Sequence, residues 1–347
     1  MNYWEMKIQK MSNVKVGVIG VGHLGKLHTK LYADVKQATL MGIYDTDYKQ
    51  AGLVGQELGC EVYREIDALL ADVQAVNIVT PTTSHHAVAM QALRAGKHVF
   101  LEKPLTATEK EAEELIALSR EKNLKIQVGH IERFNGAMQS MAGVNLQPVF
   151  IEAHRLAQFN PRGTDVAVIL DLMIHDLDLI LHLVNSEPVK VAASGVSVVS
   201  PSVDIANARI EFANGCVANV TASRISAKKM RKMRVFQKNA YISFDFSDGE
   251  AEAFYIPDSD TGNDKAELAI HLGQLDAASL KKNIKYTRRS KKEVNPLRDE
   301  LQAFVDAIRE DKTPPVTAED GLRALRLANR VMREVEKHQK RLGTRPE

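Results

Sequence analysis

The chain has 347 residues, 44% of them hydrophobic and 26% charged, with a net charge of +2. That length allows two domains with separate cores, and the composition is that of an ordinary globular protein. Near-neutral charge argues against a dedicated nucleic-acid binder, two widely spaced cysteines give no disulfide framework and suit a reducing cytoplasm, and no apolar run approaches the roughly 18 residues of a membrane span.

Residues 1–13 have no apolar signal-peptide core and are expected to form a tail. From Val14 to about Gly129, short β-branched runs alternate with helical patterns. VKVGVIG (14–20), ATLMGIYD (38–45), AVNIVT (75–80), HVFLE (98–102) and KIQVG (125–129) predict buried strands, and helices are predicted near 23–34, 47–58, 84–95 and 108–122. Continuous apolar strands separated by helices predict a doubly wound parallel sheet, a Rossmann-type α/β domain over 14–130.

Gly20-Val-Gly22-His23-Leu24-Gly25 follows the first of these strands and opens a helix. In that context Gly20 permits a tight turn, Gly22 lets backbone approach a pyrophosphate, and Gly25 lets helix pack on strand; His23 and Leu24 complete the phosphate-facing turn. Asp45 closes the second strand twenty residues beyond Gly25. A carboxylate there accepts hydrogen bonds from ribose hydroxyls and repels a 2′-phosphate, favouring NAD over NADP.

Beyond residue 148 the pattern becomes alternating in 150–157, 189–199, 204–212, 216–225 and 233–246, interrupted by a helical stretch at about 165–185. This predicts a C-terminal α/β domain over 131–347 with an open, mostly antiparallel sheet. Residues 257–293 are polar and resist assignment. Two helices, about 296–310 and 319–338, end the chain.

Residues 170–183 read LDLMIHDLDLILHL. At about 100° per helical residue, Asp171, His175, Asp178 and His182 fall within about 60° of one another on an otherwise apolar helix. Buried imidazole and carboxylate need partners or a polar cavity, and Asp171 and His175 at i, i+4 can pair, orienting the ring. The spacing also fits a satisfied core pair or a metal site, but neither an HExxH pattern nor a cysteine cluster accompanies it, so no metal is expected.

GVIGVGHLGKLH (17–28), TPTTSHHAVAMQALRAGKHVFLEKPL (80–105) and DLMIHDLD (171–178) together resemble the glucose–fructose oxidoreductase, inositol dehydrogenase and rhizopine-catabolism family of NAD(P)-dependent sugar dehydrogenases. The resemblance spans Val14 to about residue 338. It implies that Thr80, Pro81, His85 and Glu102 border an NAD cofactor, and that Lys103 sits at a strand's carboxyl edge near the reacting hydroxyl, with Pro104 in a cis peptide. It also implies that the terminal helices return to the first domain. Thr82 and Met173 depart from the family's usual asparagine and glycine. Lys103, His175 and Asp171 are the expected catalytic group: neutral His175 takes the hydroxyl proton, Asp171 holds the ring, and Lys103 stabilises the alkoxide. An inverted assignment, with neutral Lys103 as the base, stays open.

The same resemblance makes Arg133, in GHIERFN, and Arg162, in QFNPRGTD, pocket residues for substrate beside Lys103, Asp171 and His175; surface ion pairing is the other reading of either arginine. RISAKKMRKMR (224–234) and KKNIKYTRRSKK (281–292) are basic, either solvated strand faces or attractors of an anionic substrate. GHIERFN, RGTDVAVILDLMIHDLDLIL and RISAKKMRKMRVF are most similar to a bacterial branch that oxidises the 3-hydroxyl of UDP-N-acetylglucosamine for lipid A assembly. A free cyclitol or aldose as substrate, and a non-catalytic NAD-binding regulator, are the alternatives. The amphipathic open sheet predicts a homodimer or homotetramer; no nucleic-acid or membrane partner is expected.

Overall fold

Five largely apolar runs of the first hundred and thirty residues form one parallel sheet, four of them buried nearly throughout and the edge run 38–44 buried only at Gly42 and Ile43. In a computed structural model, which describes residues 13–160, 166–256, 270–277, 280–291 and 293–343, these are β1 (Val14–Ile19), β2 (Ala38–Tyr44), β3 (Ala75–Ile78), β4 (His98–Glu102) and β5 (Ile126–Gly129), in the order β2-β1-β3-β4-β5. Every neighbouring pair is parallel. Helices His23–Leu31, Tyr48–Leu58, Ile66–Asp72, Thr82–Arg94 and Glu109–Glu121 make the crossovers. Their ends follow ordinary capping chemistry: Thr108 and Glu111 form a capping box, and Asp47 caps a helix that stops at left-handed Gly59.

This unit comprises Met1–Ile131 and Asn295–Leu325. Helix Pro296–Arg309 packs Leu301, Phe304 and Val305 into the same core as Val16, Val18 and Phe100, with the Phe100 and Phe304 rings edge-on at 5.9 Å. The Val128 N–H donates to the Val316 carbonyl at 3.1 Å, extending the sheet's edge.

The second unit comprises Glu132–Val294 and Arg326–Glu347. Its nine strands among the described residues are β6 (Phe150–Leu156), β7 (Pro188–Val196), β8 (Ile205–Phe212), β9 (Val217–Ser223), β10 (Met230–Gln237), β11 (Ala240–Asp245), β12 (Glu250–Tyr255), β13 (Ile270–Ala277) and β14 (Leu280–Ser290), ordered β13-β14-β12-β11-β10-β6-β9-β8-β7. All pairs are antiparallel except β6 with β9. Period-two burial is clear in β6, where Ile151, Ala153 and Arg155 are buried and the residues between are half-exposed. The half-exposed face carries a row of rings, Phe150, Phe236, Tyr241, Phe254 and Tyr286, with centroids 4.8–5.8 Å apart. Beside it lie cross-strand charges, including Lys232 with Asp245 at 2.9 Å and Arg234 with Glu152 at 3.6 Å.

The single segment predicted over 233–246 is a hairpin, turning at Lys238-Asn239 with Asn239 at φ 63°. The helical stretch begins as a π turn, Ile169–Met173, and becomes an α-helix at Ile174–Val184. No helix among the described residues is long and apolar enough to cross a membrane. All of the expected tail except Asn13, and Arg162, lie outside the described residues.

Candidate active site

In the first unit the glycines of the first turn do three different jobs. Gly20 sits at φ +87°, and a Cβ there would meet the Thr80 nitrogen at 2.9 Å. A Cβ on Gly25 would meet the Gly20 carbonyl oxygen at 1.9 Å, so Gly25 is demanded by helix–strand packing. Gly22 has nothing within 4 Å of where its Cβ would stand. The protein leaves that space open at the start of helix His23–Leu31, which has no side-chain cap and no acidic residue in its first turn. An open cradle at a helix N-terminus fits a dinucleotide pyrophosphate. His23 and Leu24 are exposed on this first turn.

Asp45 ties the neighbouring loops together: its Oδ2 accepts from the Val21 N–H at 2.7 Å and its Oδ1 from the Asp47 N–H at 2.9 Å. His85 is buried, with Nε2 2.9 Å from the Thr80 carbonyl oxygen and Nδ1 3.0 Å from that of Pro104. Burial pushes the imidazole below its ordinary pKa, against the pull of the Thr80 and Pro104 carbonyls and the Glu102 charge. His85 thus straps the Thr80-Pro81 loop to the Lys103-Pro104 loop, whose connecting peptide is cis.

Lys103 is half-buried immediately beyond β4. Glu102, before it, is buried, with Oε1 3.1 Å from His28 Nε2 and Oε2 accepting from the Lys103 N–H at 3.2 Å. His28 Nδ1 accepts from Asn77 Nδ2 at 3.2 Å, and Asn77 Oδ1 accepts from the Tyr32 hydroxyl at 2.6 Å. Sequence reasoning missed this chain. The one signal for it was Asn77, a lone amide inside the apolar run AVNIVT, which burial obliges to find partners.

In the second unit, His175 and Asp171 are both half-buried, Asp171 within the π turn and His175 in the first turn of the α-helix. The Ile174 N–H reaches back to the Ile169 carbonyl, an i→i−5 bond, so uniform α-helical spacing does not describe the Asp171–His175 pair. π turns of this kind recur at functional sites. The helix is held by two arginine forks. Arg155 of β6 grips Asp176, Nε to Oδ2 and Nη2 to Oδ1 at 2.9 Å each, and reaches Glu132 at 2.7 Å. Arg133 grips Asp178 at 2.7 and 2.6 Å, and its Nη1 lies 3.4 Å from His182 Nδ1. Burial pushes the Asp176 carboxyl up, offset in part by Arg155. The expected pocket residue Arg133 is therefore buried on Asp178, which is itself buried, while His182, the last group of the polar stripe, is exposed. Basic residues Lys232, Arg234 and Arg288 face Asp245, Glu152 and Glu250 across the sheet, as on a solvated strand face. Among the described residues no group of three or more His, Cys, Asp and Glu could hold a metal.

A dinucleotide cradle ending beside a strand-end lysine, on a parallel sheet, defines a nicotinamide-nucleotide oxidoreductase. Residues 14–130 match the NAD-binding Rossmann-fold domain of the GFO/IDH/MocA oxidoreductase family, and residues 157–342 match its C-terminal α/β domain. The chain belongs to that family. It is 45% identical over 237 residues, 68% of this chain and 75% of the relative, to UDP-N-acetylglucosamine 3-dehydrogenase of Acidithiobacillus ferrooxidans. It is 32% identical to the NAD(+) scyllo-inositol 2-dehydrogenase of Bacillus subtilis, over 61% of this chain and 68% of that one. A solved structure of the Acidithiobacillus enzyme superimposes with a TM-score of 0.83 at 37% identity, covering 94% of this chain and 99% of the other.

Proposed function

We propose that the protein is an NAD-dependent dehydrogenase of a sugar's secondary hydroxyl, acting on the 3-hydroxyl of UDP-N-acetylglucosamine or a related sugar nucleotide. The similarity to UDP-N-acetylglucosamine 3-dehydrogenase carries the substrate. Gly20, Gly22, His23, Leu24 and Gly25 hold the pyrophosphate, Asp45 takes the adenosine ribose and disfavours a 2′-phosphate, and Thr80, Pro81, His85, Glu102 and Lys103 shape the wall beside the nicotinamide. Bound NAD supplies the hydride acceptor. His175 accepts the hydroxyl proton, Asp171 steadies its ring, and Lys103 donates a hydrogen bond to the oxygen as it gains charge. The protein works in the cytoplasm as a homo-oligomer, a second subunit covering the sheet face that carries the aromatic row.

The test is NAD⁺ reduction by the purified protein with UDP-N-acetylglucosamine, a ketone trap pulling the equilibrium, beside other sugar nucleotides, free aldoses and cyclitols. We expect turnover with the UDP sugar, abolished in Lys103→Ala and in His175→Ala while NAD affinity survives. Near-normal turnover in both variants refutes the assignment of roles. Turnover of cyclitols alone supports the second reading, which the inositol dehydrogenase relatives favour.

A further inference from the structure

We propose that Glu102 is the fixed counter-charge of Lys103, and that Tyr32, Asn77 and His28 form a buried chain that holds its carboxylate in place. The inference rests on the reading of Lys103 as a catalytic residue; Glu102 and the chain are positioning residues.

A buried carboxylate costs several kcal/mol unless it is paired and hydrogen-bonded. Glu102 is 8% exposed; its carboxylate accepts the Lys103 N–H at 3.2 Å and lies at ion-pair distance, 3.1 Å, from His28 Nε2. Burial alone would push its carboxyl up; the His28 contact, the Lys103 charge and the Lys103 N–H outweigh burial and bring it below its ordinary value. Attraction between two charges is mutual, so an ionised Glu102 favours the ammonium form of Lys103. The Glu102 charge also acts on His85, whose imidazole it favours in the charged form. From β5, Gly129 faces it, where a Cβ would stand 2.8 Å from Oε1. The missing side chain there makes room for the carboxylate.

The rest of the chain selects a tautomer. The Tyr32 hydroxyl occupies Asn77 Oδ1, which turns the amide nitrogen toward His28 Nδ1. An amide nitrogen only donates, so Nδ1 is an acceptor and the neutral ring carries its proton on Nε2, the nitrogen facing Glu102. Tyr32, Asn77 and His28 are at most 3% exposed. Four polar groups are thus placed where apolar ones would pack without needing partners.

Two experiments test this. In the nucleotide-free protein, ¹⁵N NMR of the His28 ring should show a protonated Nε2 and a bare Nδ1; the opposite tautomer overturns the proposal. In steady-state assays with whichever panel substrate turns over, Glu102→Gln should lower kcat about 10- to 100-fold, leave the KM for NAD within about threefold, and move the alkaline limb of kcat about one unit lower. His28→Gln, which keeps a donor and an acceptor, should recover most activity that His28→Leu loses. Full activity in Lys103→Ala refutes the parent reading. A dead Lys103→Ala with Glu102→Gln unchanged in kcat and pH profile refutes this one alone, as does a Glu102→Gln defect confined to NAD binding. If Glu102→Gln does not fold, equal losses in His28→Gln and His28→Leu overturn the proposal.

Discussion

Acid should loosen the strand that delivers Lys103, through the residue that begins it. His98 opens β4, and its Nδ1 accepts the Lys125 N–H at 3.0 Å, where β4 starts to pair with β5. Burial and the Lys125 charge, opposed by Asp311, lower its pKa from 6.5 to about 4. The folded protein therefore holds the ring neutral at pH values where the unfolded chain has protonated it. Between those two values the unfolded state binds more protons, so stability rises with pH; the contribution is complete above the unfolded value and is lost as pH falls toward the folded one. Going from about pH 7.5 to about pH 4.5, this one site should cost about 2.5 kcal/mol, at roughly 1.4 kcal/mol per unit of separation. The check is urea unfolding at both pH values, for wild type and for His98→Asn, whose Oδ1 can accept the same N–H but does not titrate. Every other acid-sensitive group is common to both proteins and cancels in the difference. His98→Asn should lose about 2.5 kcal/mol less than wild type on acidification; equal losses would refute the reasoning.

Arg133→Ala leaves Asp178 buried without its fork and should cost about 3–5 kcal/mol, read as a thermal shift; a loss below about 0.5 kcal/mol would return Arg133 to the class of rim residues. Gly22→Ala should leave the melting temperature within about 1 °C yet weaken NAD binding tenfold or more, about 1.4 kcal/mol, by calorimetric titration, because only ligand competes for that space. Gly25→Ala should lower both stability and NAD affinity, since its Cβ collides with the Gly20 carbonyl. Identical behaviour of the two variants would undo this division of labour.

Much of the first unit was legible because a strand buried on both faces has no polar alternation to blur it, and because Gly20, Gly22, Gly25 and Asp45 keep their order between strand and helix. Helix Ile66–Asp72 escaped notice: seven residues with an aspartate at each end of its apolar run carry little periodicity. In the second unit, β10 and β11 read as one segment because Lys238-Asn239 lacks the glycine that announces a two-residue hairpin turn. Strands β12 and β14 hid behind the charges of Glu250, Glu252, Arg288 and Arg289; Arg288 is answered by Glu250, and Glu252 by the Tyr286 hydroxyl, across the sheet rather than along the chain. The polar helix was found, but its angular arithmetic assumed an α-helix through Asp171, where the chain makes a π turn. Arg133 could be read as pocket or ion pair from sequence; the partner, Asp178, lay forty-five residues away in an apolar helix that needed a cation to bury it. The His28 chain depends on a helix, a turn and a strand meeting, which no local pattern encodes.

The aromatic row on the second sheet has a meaning for assembly of the fold itself. Phe236 stands directly opposite Phe150 and Tyr241, Tyr241 opposite Phe254, and Phe254 opposite Tyr286. One ring comes from each of five adjacent strands, so the row works like the alignment mark printed across stacked sheets of paper. A slip of one residue in any strand turns its ring to the opposite face. A slip of two keeps the face but sets Ser243 against Phe236 in place of Tyr241. Either error breaks ring contacts on both sides of β10, β11 or β12, or the single ring contact of β6 or β14, each worth about 0.5–1 kcal/mol, so mispaired sheets are penalised at every one of these strands rather than only at the turns.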